Sequence, residues 1–370
     1  METNFGATPP YTVGVEEEFQ LIDPASGELS PSVDRVLSGV GAGEPVTSEL
    51  SSSCVELVSP VFGSVAELSG ELPVLRRRIG ELAGNCGLQI AASGTHPFSN
   101  PLEQPFTEGE HYSEIEERMG WVARTQTIYG LHVHVGVADR EESIRAVDTL
   151  VSHVPLLLAL SANSPFWRGT DTRLSSARIK VFEVFPRSGL PPDFGCWRDF
   201  ERHVEALVAA GSIPDYTWCW WDVRPHPGLG TVELRALDVQ TDPASTAALA
   251  ALVQCLVASS PPMGSRGDHG PDRRFFVDEN KWRAARYGLS AMFYDFSTGE
   301  EVGAREMAVG LVGELRTVAR DLGCEKELEG VLEICRTGTG ADHQRAALAE
   351  RGSLRGVVEY LTGATVPGRL

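Results

Sequence analysis

Four short stretches of this chain alternate apolar and ionisable residues with the two-residue period of a half-buried strand. In Thr12–Leu21, Val13, Val15, Phe19 and Leu21 fall on one side, and Glu16, Glu18 and Gln20 on the other. Cys54–Leu57, Leu131–Val135 and Val232–Ala236 repeat the pattern, presenting Glu56, then His132 and His134, then Glu233 and Arg235. Glu17 breaks it by falling on the apolar side, where a strand edge or an arginine partner has to accommodate it. A longer period marks helices. Val65, Leu68, Leu72, Leu75, Ile79 and Leu82 recur at helical spacing within Ser64–Asn85. Further helices are predicted near Ser32–Leu37 and over Glu108–Thr127, Arg140–Leu160, Asp199–Ala210 and Pro243–Ser259. Leu88–Ser93 and Thr217–Val223 read as additional strands, and the chain beyond about residue 271 as mostly helical with a loose tail. Asn163–Leu190 reads as a long loop broken by a strand or short helix, and Ser259–Pro271 as a loop before the helical C-terminal part. Strands and helices do not alternate strictly, so the fold class predicted is α+β, in a single domain over 1–370.

A sheet assembled from the four alternating strands gathers acids on one surface. Two carboxylates about 5 Å apart repel by roughly 3 kcal/mol at an effective dielectric of about 20. Either the strands stay apart or a cation sits among them, and the pattern predicts a divalent metal holding a nucleotide phosphate. Glu49 lies seven residues before Glu56 across a serine-rich turn and is a further candidate ligand. Glu233-x-Arg235 pairs a metal-binding acid with a phosphate-binding arginine, or is a cross-strand ion pair. His132-x-His134 is a spacing that also holds zinc. Trp218, Trp220 and Trp221, followed by Asp222 and Arg224, form either a pocket wall or core aromatics beside a buried ion pair.

Composition narrows the partners. With 32 basic against 51 acidic residues, the net charge is −19. That disfavours nucleic acid and anionic membrane and favours cations. The seven cysteines are scattered without a C-x-x-C, as expected of a reduced, cytoplasmic protein. The polar first ten residues contain no secretory signal pattern, and the apolar stretch Val147–Leu160 is interrupted by Asp148, Ser152, His153 and Pro155. No glycine-rich loop leads into any of the three lysines, which excludes a Walker-type nucleotide site.

Seven segments in order resemble the carboxylate–amine ligases of the type 2 glutamate–cysteine ligase family. They are Gly14–Leu21, Cys54–Val58, Gly130–Gly136, Asn163–Trp167, Trp221–Pro225, Val232–Arg235 and Glu279–Gly288. The resemblance implies a glutamine-synthetase-like fold: a curved, mainly antiparallel sheet forming a funnel, with helices on its outer face. It implies ATP and Mg²⁺ (Mn²⁺ as an alternative), the metal held by Glu16, Glu18, Glu49, Glu56 and Glu233. Glu233, His132 and Arg235 take catalytic positions, with Arg235 facing the transferred phosphoryl group. Arg173, Arg178, His134, Trp221 and Arg224 are the expected substrate- and nucleotide-binding residues, and a homodimer is the expected assembly. The implied reaction joins a carboxylate to an amine through an acyl phosphate, with glutamate and cysteine, or another amino compound, as candidates. The chain departs from the family at Asp171-Thr172-Arg173-Leu174-Ser175-Ser176-Ala177-Arg178, where many relatives read Asp-Thr-Gly-Tyr-Ala-Ser-Tyr-Arg. Arg178 is kept, while the lost tyrosines and the gained Arg173 reshape the pocket. Two alternatives stay open: a metal-dependent hydrolase using His132 and His134, and a degenerate, non-catalytic ligand-binding homologue.

Overall fold

The structure, a computed structural model, describes residues 1–261, 273–295, 298–366 and 368. Its strands are β1 (Val13–Ile22), β2 (Val46–Ser48), β3 (Cys54–Val58), β4 (Gln89–Ala91), β5 (Gly130–Gly136), β6 (Phe166–Trp167), β7 (Thr170–Asp171), β8 (Val223–His226), β9 (Thr231–Asp238), β10 (Met292–Asp295) and β11 (Glu300–Gly303). Its helices are α1 (Val33–Leu37), α2 (Val65–Asn85), α3 (Glu110–Met119), α4 (Trp121–Arg124), α5 (Arg140–Ser161), α6 (Ala177–Phe182), α7 (Trp197–Ala209), α8 (Pro243–Ala258), α9 (Arg273–Tyr287), α10 (Ala304–Asp321), α11 (Glu325–Thr337), α12 (Gly340–Arg351) and α13 (Leu354–Thr365).

The main sheet runs β2-β3-β1-β5-β9-β8 and is open, with β4 paired to the C-terminal end of β1. Every pairing in it is antiparallel. The four strands read from alternation are therefore contiguous neighbours, in the order β3, β1, β5, β9. Their apolar residues Val15, Phe19, Val55, Leu57, Leu131, Val133 and Leu234 are buried in one continuous core with α2, α5 and α8. The α+β expectation is met: helices cover one face and leave the carboxylate face to the site.

Glu17 sits on the core side, fully buried, and its partner is the equally buried Arg76 of α2. Arg76 Nε donates to Glu17 Oε2 at 2.9 Å, and its other nitrogens donate to the carbonyls of Gln240 and Thr241. This arginine ties β1, α2 and the start of α8 together. Helix α5 is long and apolar enough to cross a bilayer by length and composition, yet most of it is buried against β9, α8 and α9.

Several expected elements differ. Glu108–Thr127 is not one helix: Gly120, at φ 55°, ψ −130°, divides α3 from α4. Thr217–Val223 is not a strand; Tyr216–Trp218 forms a 3₁₀ turn started by Asp215, and pairing begins at Val223. The long loop holds both the small β6–β7 hairpin and α6, whose cap is Ser176. Residues 262–272, the bulk of the loop expected at Ser259–Pro271, lie outside the described residues, as does part of the tail. The segment Thr337–Asp342 leads into α12, which Thr339 caps. Ala341 N–H donates to Ala162 C=O, and Gly340 lies where any Cβ would collide with Asn163.

Candidate active site

Strand register decides which ionisable groups meet. Glu18 stands directly opposite Glu56, Glu16 opposite His132, and His134 opposite Glu233, which is itself opposite Arg224. Glu49 joins from the segment between β2 and β3. Potential ligand atoms fall into three sets, each within 4.8 Å: Glu18, Glu49 and Glu56; Glu16, Glu56 and His132; and Glu16, His134 and Glu233.

Hydrogen bonds and charge divide this face in two. Toward β8, cations dominate. Arg224 Nε donates to Glu233 Oε2 at 2.7 Å, and Arg235 Nη1 bonds Glu233 Oε1. Burial pushes the Glu233 carboxyl up, but Arg224 and Arg235 outweigh it and hold it well below the usual carboxylate range. For Glu16, hydrogen bonds with His132 and His134 outweigh burial in the same way and hold it well down. His132 Nδ1 lies 2.7 Å from Glu16 Oε2, and His134 Nε2 lies 3.3 Å from Glu16 Oε1. Burial and then Arg235 lower His132; at His134 burial is outweighed by Glu233 and Glu16, which raise it.

Toward β3 the balance reverses. Burial and the neighbouring Glu18 push Glu49 up to about 7. Burial, then Glu49, Glu16 and Glu18, raise Glu56 well above the usual range. Three carboxylates converging with too little positive charge suit a hard divalent cation, which prefers oxygen ligands. The donor set thus fits magnesium, with Glu18, Glu49 and Glu56 as its most oxygen-rich portion.

A one-residue irregularity sets the arginines. Between Leu131↔Leu237 and Val133↔Leu234, β9 has one residue more than β5. Such a bulge re-aims the side chains beyond it. Leu234 and Leu237 both stay on the core side, Arg235 points to the site, and Asp238 follows opposite Gly130. Over Gly130 lies the guanidinium of Arg178, packed so closely that a Cβ there would collide with Nη2. Arg178 Nη1 donates to the Arg235 carbonyl at 3.3 Å. Arg178 Nε and Arg235 Nε are both buried with no acceptor among the described residues. Two neighbouring guanidinium groups, each with a buried N–H that has no acceptor among the described residues, suit an anion.

Two expected binding residues are not at this face. Trp221 is buried in a separate aromatic cluster, with ring centroids 5.6 Å from Phe194 and 5.7 Å from His203. Its apolar bulk is satisfied there, so it is a core residue. Arg173 is exposed in a left-handed turn at φ 59°, with its N–H on Asp171 and its carbonyl receiving Arg286. The turn holds its backbone on the outer loop. Asp238 is the buried carboxylate that alternation misses, because strict alternation from Glu233 assigns position 238 to the opposite face.

The fold is one seen in glutamate–cysteine ligase structures. It superposes on the structure of glutamate–cysteine ligase from Francisella tularensis in complex with AMP, with a TM-score of 0.72 at 15% identity, covering 97% of this chain and 90% of that one. A bifunctional glutathione synthetase from Pasteurella multocida gives 0.70 at 14% identity, covering 96% of this chain and 52% of that one. At such identities the likeness concerns the fold. The sequence itself matches the glutamate–cysteine ligase family 2 model over residues 12–361. It is 59% identical over 369 residues, 99% of this chain and 100% of the other, to a Rubrobacter xylanophilus protein provisionally named glutamate–cysteine ligase 2-3. A Thermobifida fusca relative, provisionally named glutamate–cysteine ligase 2, is 38% identical over 98% of this chain and 92% of its own length. The chain belongs to glutamate–cysteine ligase family 2 and is an ATP-dependent enzyme that forms a C–N bond. Membership in that family sets aside the hydrolase.

Proposed function

We propose that this enzyme activates a small carboxylic acid as its acyl phosphate, using ATP, and transfers the acyl group to an amine. The observation that carries this reading is the clustering of the carboxylates of Glu16, Glu18, Glu49, Glu56 and Glu233 beside the guanidinium groups of Arg178 and Arg235. Carboxylates alone suit a cation; arginines alone suit an anion; a metal–phosphate complex needs both. When bound, Mg²⁺ (or Mn²⁺) would screen the phosphate oxygens so that an anionic acid can approach the γ-phosphorus.

The side chains divide the remaining work. Glu233 binds both Arg224 and Arg235, so Arg235 offers its remaining N–H groups where charge builds on the transferring phosphoryl group. Arg178 and Arg235 together hold the acid beside that group. His132, kept neutral by burial and Arg235, accepts or donates a hydrogen bond without adding charge. His134, with Nδ1 3.1 Å from Thr231 Oγ1, orients Glu16. An amine then displaces phosphate from the acyl carbon, leaving an amide. Glutamate and cysteine are the first pair to test, the altered Arg173–Arg178 loop making another amine an equal candidate.

The same reading takes residues 1–370 as one catalytic unit, assembled as a homodimer in a reducing cytoplasm. All seven cysteines are free. The test is a screen of acid–amine pairs with ATP and Mg²⁺, scored by ADP release and product mass. ADP is expected only with an acid and metal present, and the product mass equals acid plus amine less water. Glu16→Gln and Glu233→Gln are expected to abolish ADP release while leaving the circular dichroism spectrum unchanged. Release that needs no acid, or activity surviving in both variants, overturns the reading.

A further inference from the structure

Arg178 is held in place by a device that begins at its own backbone N–H. It is the second residue of α6, a helix of six residues whose start is fixed by two hydroxyls. Ser176 caps the helix, its Oγ accepting from Ile179 N–H at 3.4 Å. Ser164, from the segment after α5, has its Oγ accepting from Arg178 N–H at 3.0 Å. A hydroxyl donates one proton and can otherwise accept, so what it does toward α6 depends on where that proton goes. Both protons go to Asp238. Ser164 Oγ donates to Asp238 Oδ2 at 2.7 Å, and Ser176 Oγ to Asp238 Oδ1 at 2.9 Å. Asn163 N–H adds a third bond to Oδ2, also at 2.7 Å.

An ionised carboxylate only accepts, so it forces both serines to turn their lone pairs toward the first turn of α6. Asp238, Ser164, Ser176 and Asn163 are all buried. Gly94 shields the carboxylate from above: a Cβ there would stand 2.7 Å from Asp238 Cγ. Opposite Asp238 across the strand pair is Gly130, the residue beneath the Arg178 guanidinium. The paired ends of β9 and β5 therefore support both the backbone and the charged tip of Arg178.

We propose that Asp238 is a positioning residue for acid binding, acting through Ser164 and Ser176 to set Arg178 against Arg235. The proposal rests on the reading that Arg178 and Arg235 hold the acid. Asp238→Asn keeps the shape but brings an NH₂ group that can no longer receive both hydroxyl protons. One serine must reverse, and α6 loses an anchor.

The test is a double-mutant cycle on the full chain with Asp238→Asn and Arg178→Met, using the acid giving most ADP release in the screen above. Alone, Asp238→Asn is expected to lower kcat/KM for the acid about 100-fold, with KM for ATP changing less than about two-fold. In the Arg178→Met background the same change is expected to cost less than about three-fold, since the group it positions is gone. Should Asp238→Asn not fold, Ser176→Ala removes one relay and is expected to lower kcat/KM about ten-fold with the same coupling to Arg178. Equal losses in both backgrounds, or a loss falling equally on ATP and acid, overturn the proposal. Wild-type enzyme showing no acid-dependent ADP release would instead overturn the ligase reading on which it rests.

Discussion

Glu18 and Glu56 face each other directly across the β1–β3 pair, two carboxylates in register on buried strands. Like charges so placed weaken a sheet. A protein that keeps such a pair has a use for it, and the third carboxylate, Glu49, converges on the same point. Removing one of the charges should therefore help the metal-free protein and harm the enzyme. Glu56→Gln is expected to raise the Tm of the EDTA-treated protein by about 1–2 °C, corresponding to roughly 1 kcal/mol. It is also expected to remove the Tm increase that Mg²⁺ gives the wild type. Calorimetric melting with and without MgCl₂ checks both; a variant less stable than wild type in EDTA contradicts the repulsion.

The same crowding gives a pH dependence with a definite sign. Glu49 rises from 4.5 to about 7, through burial first and Glu18 second. A group whose folded pKa exceeds its unfolded value contributes stability that is fully present below the unfolded value and lost as pH rises through the folded one. For Glu49 that window runs from about 4.5 to about 7, and Glu56, also raised, extends it upward. EDTA-treated protein should lose stability between pH 6 and pH 8, and a bound divalent cation should flatten the loss. Metal binding must also release protons. Titration calorimetry with Mg²⁺ at pH 6, in two buffers of different ionisation enthalpy, should give heats that differ by the buffer difference times at least about one proton. Equal heats in both buffers would rule this out.

Arg235 answers to a different measurement. It sits on a bulge, bonded to Glu233, with its buried Nε–H unpaired among the described residues. An arginine aimed at developing charge is worth about 10²–10³ in rate, while contributing little to ground-state nucleotide affinity. Arg235→Met is expected to lower kcat by that factor and to leave the Kd of an unhydrolysable ATP analogue within about three-fold. Single-turnover phosphoryl transfer and fluorescence titration separate the two. A loss confined to nucleotide affinity would move Arg235 from the reacting group to the binding of ATP.

How much of this was legible in the sequence follows from the range of the interactions. Alternation within a strand is local, so the faces of β1, β3, β5 and β9 and the burial of their apolar residues could be read directly. So could the acids they carry, because a buried face tolerates no slip of register. Asp238 escaped because one extra residue in β9 reverses the alternation, and no local pattern announces a bulge. Trp221 was read two ways because a tryptophan beside Asp222 and Arg224 suits a pocket or a core equally, and only the distant Phe194, Phe200 and His203 decide it. Glu49 was legible by spacing alone, although its short connection to β3 passes through bends rather than a regular strand.

Glu17 and Arg76 show the same limit and support one more prediction. The acid's odd placement was visible, but its partner lies 59 residues away, in the middle of an amphipathic helix. Both side chains are fully buried, and Arg76 also bonds two carbonyls near the start of α8 and the Thr246 hydroxyl. Breaking a buried pair from one side strands a charge in the core and costs about 3–5 kcal/mol, whereas replacing both partners with apolar groups is often nearly neutral. Here the second outcome is worse than usual, because the carbonyls of Gln240 and Thr241 would lose their donors as well. Arg76→Met is expected to cost about 3–5 kcal/mol in urea unfolding. Glu17→Leu combined with Arg76→Met should recover part of that loss, leaving a deficit of about 1–3 kcal/mol for the orphaned carbonyls. The double variant should retain its Mg²⁺-dependent Tm increase, since Glu17 points away from the carboxylate face. Loss of that increase with the fold intact would mean that the ion pair, through β1, sets the position of Glu16 and Glu18.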